Sequence, residues 1–217
     1  VMMPRLASQF ASHNIETIRQ YLEQTIRFSA FLSFPMMFGI MGIASTLVPW
    51  FLGKEFEPVV SVIWALASLI PLSSMVGISG DQYLVATGQT RVLTLSYIVA
   101  ALVNVVVNII LIPRYAAVGS AIATICAYGL ILVIQYKVLL REISLLDPIL
   151  NSFSYIWKSL PMFLFVLGLA YILPDNFITT LLQILGGGLL YIGGLLITKD
   201  KMIFFLLKSI SRMLTRI

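Results

Sequence analysis

Charged residues are scarce in this chain, and their scarcity excludes an ordinary soluble domain. Only 11% of the 217 residues are Asp, Glu, Lys or Arg, whereas a soluble domain carries about 25%. The chain has one histidine, His13, and one cysteine, Cys126. One cysteine cannot form an intramolecular disulfide, and the two residues do not make a His/Cys cluster. We therefore expect no metal site, no cofactor and no catalytic residue.

Long segments without any charged residue occupy most of the sequence. About 18 consecutive apolar residues mark a membrane-spanning helix, and five of the six uncharged segments exceed that length. The remaining one becomes long enough if it starts at residue 153 and Lys158 extends toward the lipid headgroups. The pattern predicts an all-α membrane protein with six transmembrane helices, at 28–52, 58–80, 92–112, 116–136, 153–173 and 177–198.

The basic residues are distributed unequally between the two sides of the predicted membrane. When the loops are assigned alternately, the side of the N-terminus holds 12 lysines and arginines and the other side holds only Lys54 and Arg114. The positive-inside rule then places both termini in the cytoplasm. Because the charge of +5 follows the membrane, it does not indicate nucleic acid. The chain opens Val-Met-Met-Pro without a signal-peptide pattern, which predicts a fragment of a larger transporter.

The polar stretches divide the chain into five parts. Residues 8–27 place apolar side chains at helical spacing, and Glu16 and Glu23 stand three or four residues before Arg19 and Arg27. The last residues alternate basic and apolar, as interfacial helices on an anionic leaflet do. We predict a cytoplasmic amphipathic segment, a four-helix part of a transport lobe, a cytoplasmic linker, a terminal helix pair and a basic amphipathic tail. Their bounds are 1–27, 28–136, 137–152, 153–198 and 199–217.

Two asparagines lie within the third predicted span. Asn104 and Asn108 share a helical stripe with Tyr97 and Ala101. An amide inside hydrocarbon is costly without a partner, so this stripe must face protein or a water-filled cavity. Two interpretations stay open. The amides either line a transport pathway and bind a polar substrate, or they bond to a neighbouring helix and hold the bundle together.

Small residues follow at four-residue spacing in the fourth predicted span. This spacing lets two helix backbones approach closely, so it favours a packing face. Pro113 is expected to end the third span, because proline cannot continue the helical hydrogen bonds, and Arg114 then lies at the outer interface. The predicted packing residues are Gly119, Ser120, Ala123, Thr124 and Ala127.

Three arginines lie at the cytoplasmic ends of predicted helices: Arg5, Arg27 and Arg91. A guanidinium near the mouth of a cavity binds phosphate oxygens in a bidentate manner. These residues are therefore candidate ligands for an anionic substrate. The alternative is that they only reflect the positive-inside bias of the loops.

Four segments resemble a known family. The run NVVVNIILIPRYAAVGSAIAT at 104–124 is similar to a segment of polysaccharide-export flippases, which are lipid-linked oligosaccharide translocases. They belong to the multidrug/oligosaccharidyl-lipid/polysaccharide exporter superfamily. Supporting matches are MMPRLAS at 2–8, PMMFGIMGIASTLVPWFLGKEF at 35–56 and ISGDQYLVATGQTR at 78–91. The chain departs at Ala117, where the family often has glycine after the aromatic residue.

The resemblance implies a fold, a function and partners. The chain would form most of the C-terminal lobe of a two-lobe flippase with 12–14 helices in the bacterial inner membrane. Such a protein is not an enzyme. It moves undecaprenyl-pyrophosphate-linked oligosaccharide repeat units across the membrane by alternating access for surface polysaccharide biosynthesis. Its implied partners are this lipid-linked glycan, membrane lipids, and a polysaccharide polymerase with other assembly proteins.

Other functions remain as alternatives. A lipid II flippase or a multidrug exporter belongs to the same superfamily, although a cation-coupled exporter would be expected to carry acids within its spans. A membrane enzyme of polysaccharide assembly would usually need large outer loops or an intramembrane histidine. A third alternative is a purely structural membrane subunit that neither transports nor catalyses.

Overall fold

The computed structural model describes residues 15–214, and this part of the chain is almost wholly helical. The α-helices are α1 Ile15–Phe51, α2 Val59–Ala67, α3 Leu69–Gly77, α4 Thr90–Glu142, α5 Leu146–Ser152, α6 Ser154–Ile172, α7 Phe177–Ile197 and α8 Lys201–Leu214. A 3₁₀ turn covers Lys54–Phe56, and a π-helix at Ile78–Leu84 continues directly from α3. Within residues 15–214 there is no strand, which confirms the all-α fold class.

Five helical stretches of the described chain are long and apolar enough to cross a membrane: Ile15–Phe51, Val59–Leu84, Thr90–Glu142, Leu146–Ile172 and Phe177–Ile197. The 53-residue stretch holds the third and fourth predicted spans. Its two arms, 90–115 and 117–142, lie antiparallel, because Ser96 meets Gln135 and the backbone of Leu111 lies against Gly119. The helices are therefore those predicted, with different ends.

The reversal between these arms lies at Ala116, not at Pro113. Helix α4 continues through Pro113, Arg114 and Tyr115, and only Ala116 leaves the helical region, with φ 47° and ψ −125°. The expectation that Pro113 ends the span is wrong, because a proline near the C-terminal end of a helix gives up only one backbone bond. The departure assigned to Ala117 belongs one residue earlier, since Ala116 directly follows Tyr115 and adopts the backbone that favours glycine.

The first helix continues from the predicted amphipathic segment into the first predicted span without a break. The amphipathic segment and the first span form one continuous helix of 37 residues, about 55 Å long at 1.5 Å per residue. The predicted Glu16–Arg19 and Glu23–Arg27 pairs are confirmed, with N–O distances of 3.8 and 2.7 Å. Of the apolar residues at helical spacing in this segment, Ile18, Leu22 and Ile26 are buried, whereas Ile15 is 61% exposed.

Residues 15–33 and Ser61–Ser152 form one compact unit. Its main core buries Ile18, Leu22 and Ile26 of α1 against Tyr83 and Leu84 of the π-helix, with Leu139, Ile143 and Leu145. A second cluster joins Val76 to Ala100, Ala127 and Ile131 of the two arms of α4. The four-residue steps of α1 and the small residues of α4 therefore each supply a buried face.

Residues 34–60 and 153–214 form the second compact unit. Here Gly42 and Gly187 lie against Val166 of α6, where an added Cβ would come within 2.7 and 2.9 Å of a Val166 methyl carbon. Phe38 packs on Phe163 with ring centroids 5.2 Å apart. Small residues that admit a branched side chain are the usual basis of helix packing in membranes.

Candidate transport site

The two asparagines of the third predicted span bond to each other. Asn108 Nδ2 donates to Asn104 Oδ1 at 2.9 Å, and both side chains are half-buried on the first arm of α4. The Oδ1 atom of Asn108 is buried and has no hydrogen-bond partner within the described chain. The pair thus satisfies itself only in part, because each primary amide offers two donors and an acceptor with two lone pairs.

The small residues of the second arm of α4 lie opposite the first arm. Gly119, Ala123 and Ala127 are buried, while Ser120 and Thr124 are half-buried. An added Cβ at Gly119 would come within 2.6 Å of the Leu111 carbonyl oxygen. Thr124 Oγ1 donates to the Ser120 carbonyl at 3.0 Å, which satisfies its hydroxyl within its own helix. Close approach of the two arms therefore depends on the absence of a side chain at Gly119.

The three candidate arginines have different surroundings. Arg5 lies outside the described residues. Arg27 pairs with Glu23 at 2.7 Å, so part of its guanidinium is already occupied. Arg91 is exposed near the start of α4, and no described carboxylate forms an ion pair with it. Of the two described candidates, Arg91 is the better placed to bind an anion from solution.

Gln135 forms a buried hydrogen-bond network that sequence reasoning missed. Ser79 Oγ donates to Gln135 Oε1 at 2.7 Å, and Gln135 Nε2 donates to Ser96 Oγ at 3.0 Å. All three side chains are fully buried. An added Cβ at Gly80 would meet the same amide at 3.2 Å. The signal was available, because a glutamine inside an uncharged span needs partners as much as an asparagine does.

The C-terminal end of α4 is held to the π-helix by Glu142. Its carboxylate accepts a short hydrogen bond from the buried Tyr83 hydroxyl and two bonds from Gln89 Nε2, at 2.8 and 3.0 Å. Gly88 has a φ of 71° and ends the preceding turn, with Gln89 N–H bonded to the Leu84 carbonyl. A π-helix often marks a functional position, and this one places a serine and a tyrosine in two separate networks.

The second unit also contains a buried amide. Gln183 Nε2 donates to Thr46 Oγ1 and to the Val166 carbonyl, both at 3.0 Å. Trp50 Nε1 donates to Thr180 Oγ1 at 2.9 Å, one helical turn nearer the start of α7. These bonds join α1, α6 and α7 through polar groups that lie among apolar side chains, where each bond contributes on average about 0.6 kcal/mol.

Lys158 forms an ion pair that the sequence did not predict. Its Nζ binds Asp200 Oδ2 at 2.5 Å, while Tyr155 Oη and the Met202 amide donate to Asp200 Oδ1 at 3.0 and 2.8 Å. Burial opposes ionisation of Asp200, but these donors outweigh it and hold the pKa of the carboxyl below its ordinary value. The pairing was not foreseen because Asp200 lies 42 residues away from Lys158 along the chain. The extension of Lys158 toward the headgroups stays a prediction.

The chemistry available in these units is that of hydrogen bonding and charge. Within residues 15–214, no three His, Cys, Asp or Glu residues are grouped as a metal site would require. Among the described residues, the buried polar groups are amides and hydroxyls together with the paired carboxylate of Asp200, and the exposed charged groups lie near helix ends. Such groups bind and orient a polar ligand in an apolar environment.

One comparison with known proteins gives a match. The model of the family described as Lipid II flippase MurJ matches residues 1–185. No curated protein and no solved structure matches the chain. The match supports the flippase kind that the sequence predicted and a multi-pass protein of the bacterial inner membrane, while the polysaccharide subtype stays a prediction. The matched region covers most of the chain, and the chain therefore belongs to the family of the Lipid II flippase MurJ.

Proposed function

We propose that this protein carries lipid II across the inner membrane by alternating access. The observation that carries the proposal is the family match, which extends over both arms of α4, the π-helix and α6. The buried side-chain hydrogen bonds of Gln135 and Gln183 stabilise helix packing within their respective units, as polar groups do in membrane proteins. Both termini of the chain are proposed to face the cytoplasm, as the 12 to 2 distribution of basic residues predicts.

Arg91 is the proposed contact for the anionic group of the substrate. A lipid carrier with a pyrophosphate, the class implied by the sequence resemblance, needs a cation at the side from which it is collected. Arg91 is exposed at the start of α4, and a free guanidinium binds two phosphate oxygens at once. Arg27 is a weaker candidate because Glu23 competes for it, and Arg5 remains a candidate from the sequence alone.

Asn104 and Asn108 are the proposed contacts for the glycan. Their mutual bond leaves Asn108 Oδ1 without a partner, and a buried acceptor without a donor costs about 1–3 kcal/mol. A sugar hydroxyl would supply that donor and remove the cost during passage. The small-residue face at Gly119, Ala123 and Ala127 has a structural role in this scheme, since it sets the separation of the arms.

A second substrate is favoured by the sequence. The run at 104–124 and the segment at 78–91 resemble flippases of undecaprenyl-pyrophosphate-linked oligosaccharide repeat units. In that case the partners would include a polysaccharide polymerase and other assembly proteins. Both substrates are lipid-linked glycans, so the same arginine and asparagines would bind them.

Complementation in two bacterial strains distinguishes the substrates. The intact protein is expressed in a strain depleted of its lipid II flippase and in a strain deleted for its polysaccharide flippase. Growth of the first strain, with loss of accumulated lipid II in the inner leaflet, is the expected result. Rescue of surface glycan in the second strain alone would assign the oligosaccharide. Failure in both strains at normal expression would contradict a flippase function.

The Arg91 contact is tested with three variants in the complementing strain. Arg91→Ala should abolish growth, and Arg91→Lys should restore it only in part, because lysine keeps the charge but cannot bind two oxygens in a fixed geometry. Arg141→Ala is the matched control, since Arg141 is an exposed arginine at the other end of α4. Equal growth of the Arg91→Ala and Arg141→Ala strains would contradict the substrate contact. Arg91 would then only contribute to the positive-inside bias of the loops.

A further inference from the structure

The segment that follows α7 is strongly basic. Four of the residues from 199 to 214 are lysines or arginines, and Asp200 is the sole acid among them. Helix α7 ends at Ile197, and Lys199 adopts a left-handed backbone with φ 49°. The amide of Lys199 then bonds to the Leu196 carbonyl, and the amide of Asp200 bonds to the Leu195 carbonyl. This helix-ending arrangement starts α8 only three residues beyond the last span.

The one acid of this segment is withdrawn from the surface. Asp200 is buried and accepts bonds from Lys158 Nζ, Tyr155 Oη and the Met202 amide, at 2.5, 3.0 and 2.8 Å. Lys158 and Tyr155 lie one turn apart on α6, so the carboxylate attaches the beginning of α8 to that helix. The charge left on the surface of the segment is therefore positive.

The exposed face of α8 combines aromatic and basic side chains. Met202 and Ile203 are buried within the second unit. Lys201, Phe204, Phe205 and Lys208 fall at positions i, i+3, i+4 and i+7, so they share one face of the helix. Phe204 and Phe205 are 49% and 50% exposed, and both lysines are exposed. A face that exposes two aromatic rings between two lysines is too apolar for a helix face that is simply solvated.

We propose that this face of α8 binds anionic phospholipids of the leaflet that borders the end of α7. A peripheral helix binds a bilayer when it presents apolar side chains to the acyl boundary and basic ones to the headgroups. The face of Lys201, Phe204, Phe205 and Lys208 meets both requirements. Its distance of three residues from a membrane span places it at the bilayer surface, and its charge is complementary to an anionic leaflet. The proposal does not depend on the transported substrate.

The test uses the intact protein in vesicles of phosphatidylcholine alone or mixed with phosphatidylglycerol. A spin label is placed at Phe204→Cys in a Cys126→Ser background, and its collisions with oxygen and with a water-soluble nickel chelate are measured. The expected result is high oxygen accessibility in the anionic vesicles and high chelate accessibility in phosphatidylcholine. Equal accessibilities in the two lipids would overturn the proposal.

Charge variants give a quantitative arm of the same experiment. Each basic residue near an anionic surface changes binding about fivefold, so neutralising Lys201 and Lys208 to Gln should lower the ratio of bound to unbound α8 about 25-fold. Lys54→Gln is the matched control, because it removes one charge from a short turn outside α8. An unchanged ratio in the double variant would refute the charge contribution. If the label becomes inaccessible to both oxygen and the nickel chelate only after cell extract is added, a protein covers this face. That result would overturn the lipid assignment.

Discussion

The contact between the arms of α4 leads to a sharp prediction for Gly119→Ala. The added Cβ would stand 2.6 Å from the Leu111 carbonyl oxygen and 2.7 Å from its carbon. Carbon–oxygen contacts between neighbouring helices are usually no shorter than about 3.3 Å, so the arms must separate by about 0.7 Å. The obstacle is backbone, which cannot move aside by rotating a side chain.

The magnitude follows from a comparison with Gly129→Ala on the same arm. No atom lies within 4 Å of the position that a Cβ would take at Gly129, so that substitution gains only the helix propensity of alanine, about 1 kcal/mol. Gly119→Ala gains the same propensity and also pays for overpacking, about 1–3 kcal/mol. The difference between the two variants isolates the steric cost. For a protein of this size, where 1 kcal/mol shifts the melting temperature by about 2–4 °C, it corresponds to a melting temperature roughly 2–12 °C lower for Gly119→Ala than for Gly129→Ala.

Thermal unfolding of the purified protein in detergent measures this difference. Both variants are followed by intrinsic fluorescence and by loss of the monodisperse peak in gel filtration. We expect Gly129→Ala to melt at or above the wild-type temperature and Gly119→Ala to melt below it. If Gly119→Ala melts with or above Gly129→Ala, the arms of α4 are not in the contact described, and the reasoning fails.

Three further predictions concern other networks and use the same thermal assay unless stated. Ala116→Gly should raise stability by about 1 kcal/mol because glycine tolerates a positive φ, whereas Ala117→Gly, at a helical position, should lower it. The opposite order would exclude the reversal at Ala116. Gln135→Leu should lower the free energy of unfolding by only about 0.6–2 kcal/mol, because the hydroxyls of Ser79 and Ser96 still donate to backbone carbonyls. An unchanged stability would show that the amide network contributes nothing. The lowered pKa of Asp200 means that its contribution is complete above the usual value of 3.8 and is lost as pH falls through the lower folded value. Proteolysis of α8 should therefore increase below that pH in the wild type, while Asp200→Asn should be cleaved equally at every pH; a pH-independent wild type would refute this.

The sequence predicted the spans well because their signal is local. The predicted bounds of α6 and α7 lie within one residue of those observed, Ser154–Ile172 and Phe177–Ile197. An uncharged segment of sufficient length predicted α7, whereas the shorter one of α6 had to be extended across Lys158. The ends of α1 and α4 were missed for a different reason. Helices extend beyond the hydrocarbon, and charged residues such as Arg27 and Arg141 continue them without any change in backbone geometry. Charge therefore marks the membrane boundary and not the end of a helix.

Candidate site residues could be predicted only where an unusual residue type occurs within a predicted span. Asn104 and Asn108 became candidates because asparagine is rare in a span, but the hydrogen bond between them was not foreseen. Gln135 lies 39 residues from Ser96 and 56 from Ser79, and no periodicity connects such positions. Residues that interact across tertiary contacts can be identified only after the fold is known.

The stripe of Ile18, Leu22 and Ile26 gives the chain two different responses to temperature. These side chains are buried on a helix segment whose opposite face is polar, and the sequence predicts that this segment lies outside the bilayer. In that position the hydrophobic effect drives their burial, which weakens on cooling. The packing of the spans depends on van der Waals contact and hydrogen bonds within lipid, which do not require that driving force. Cold should therefore loosen the water-facing core while leaving the spans packed, so that the two parts of one helix have separate thermal limits.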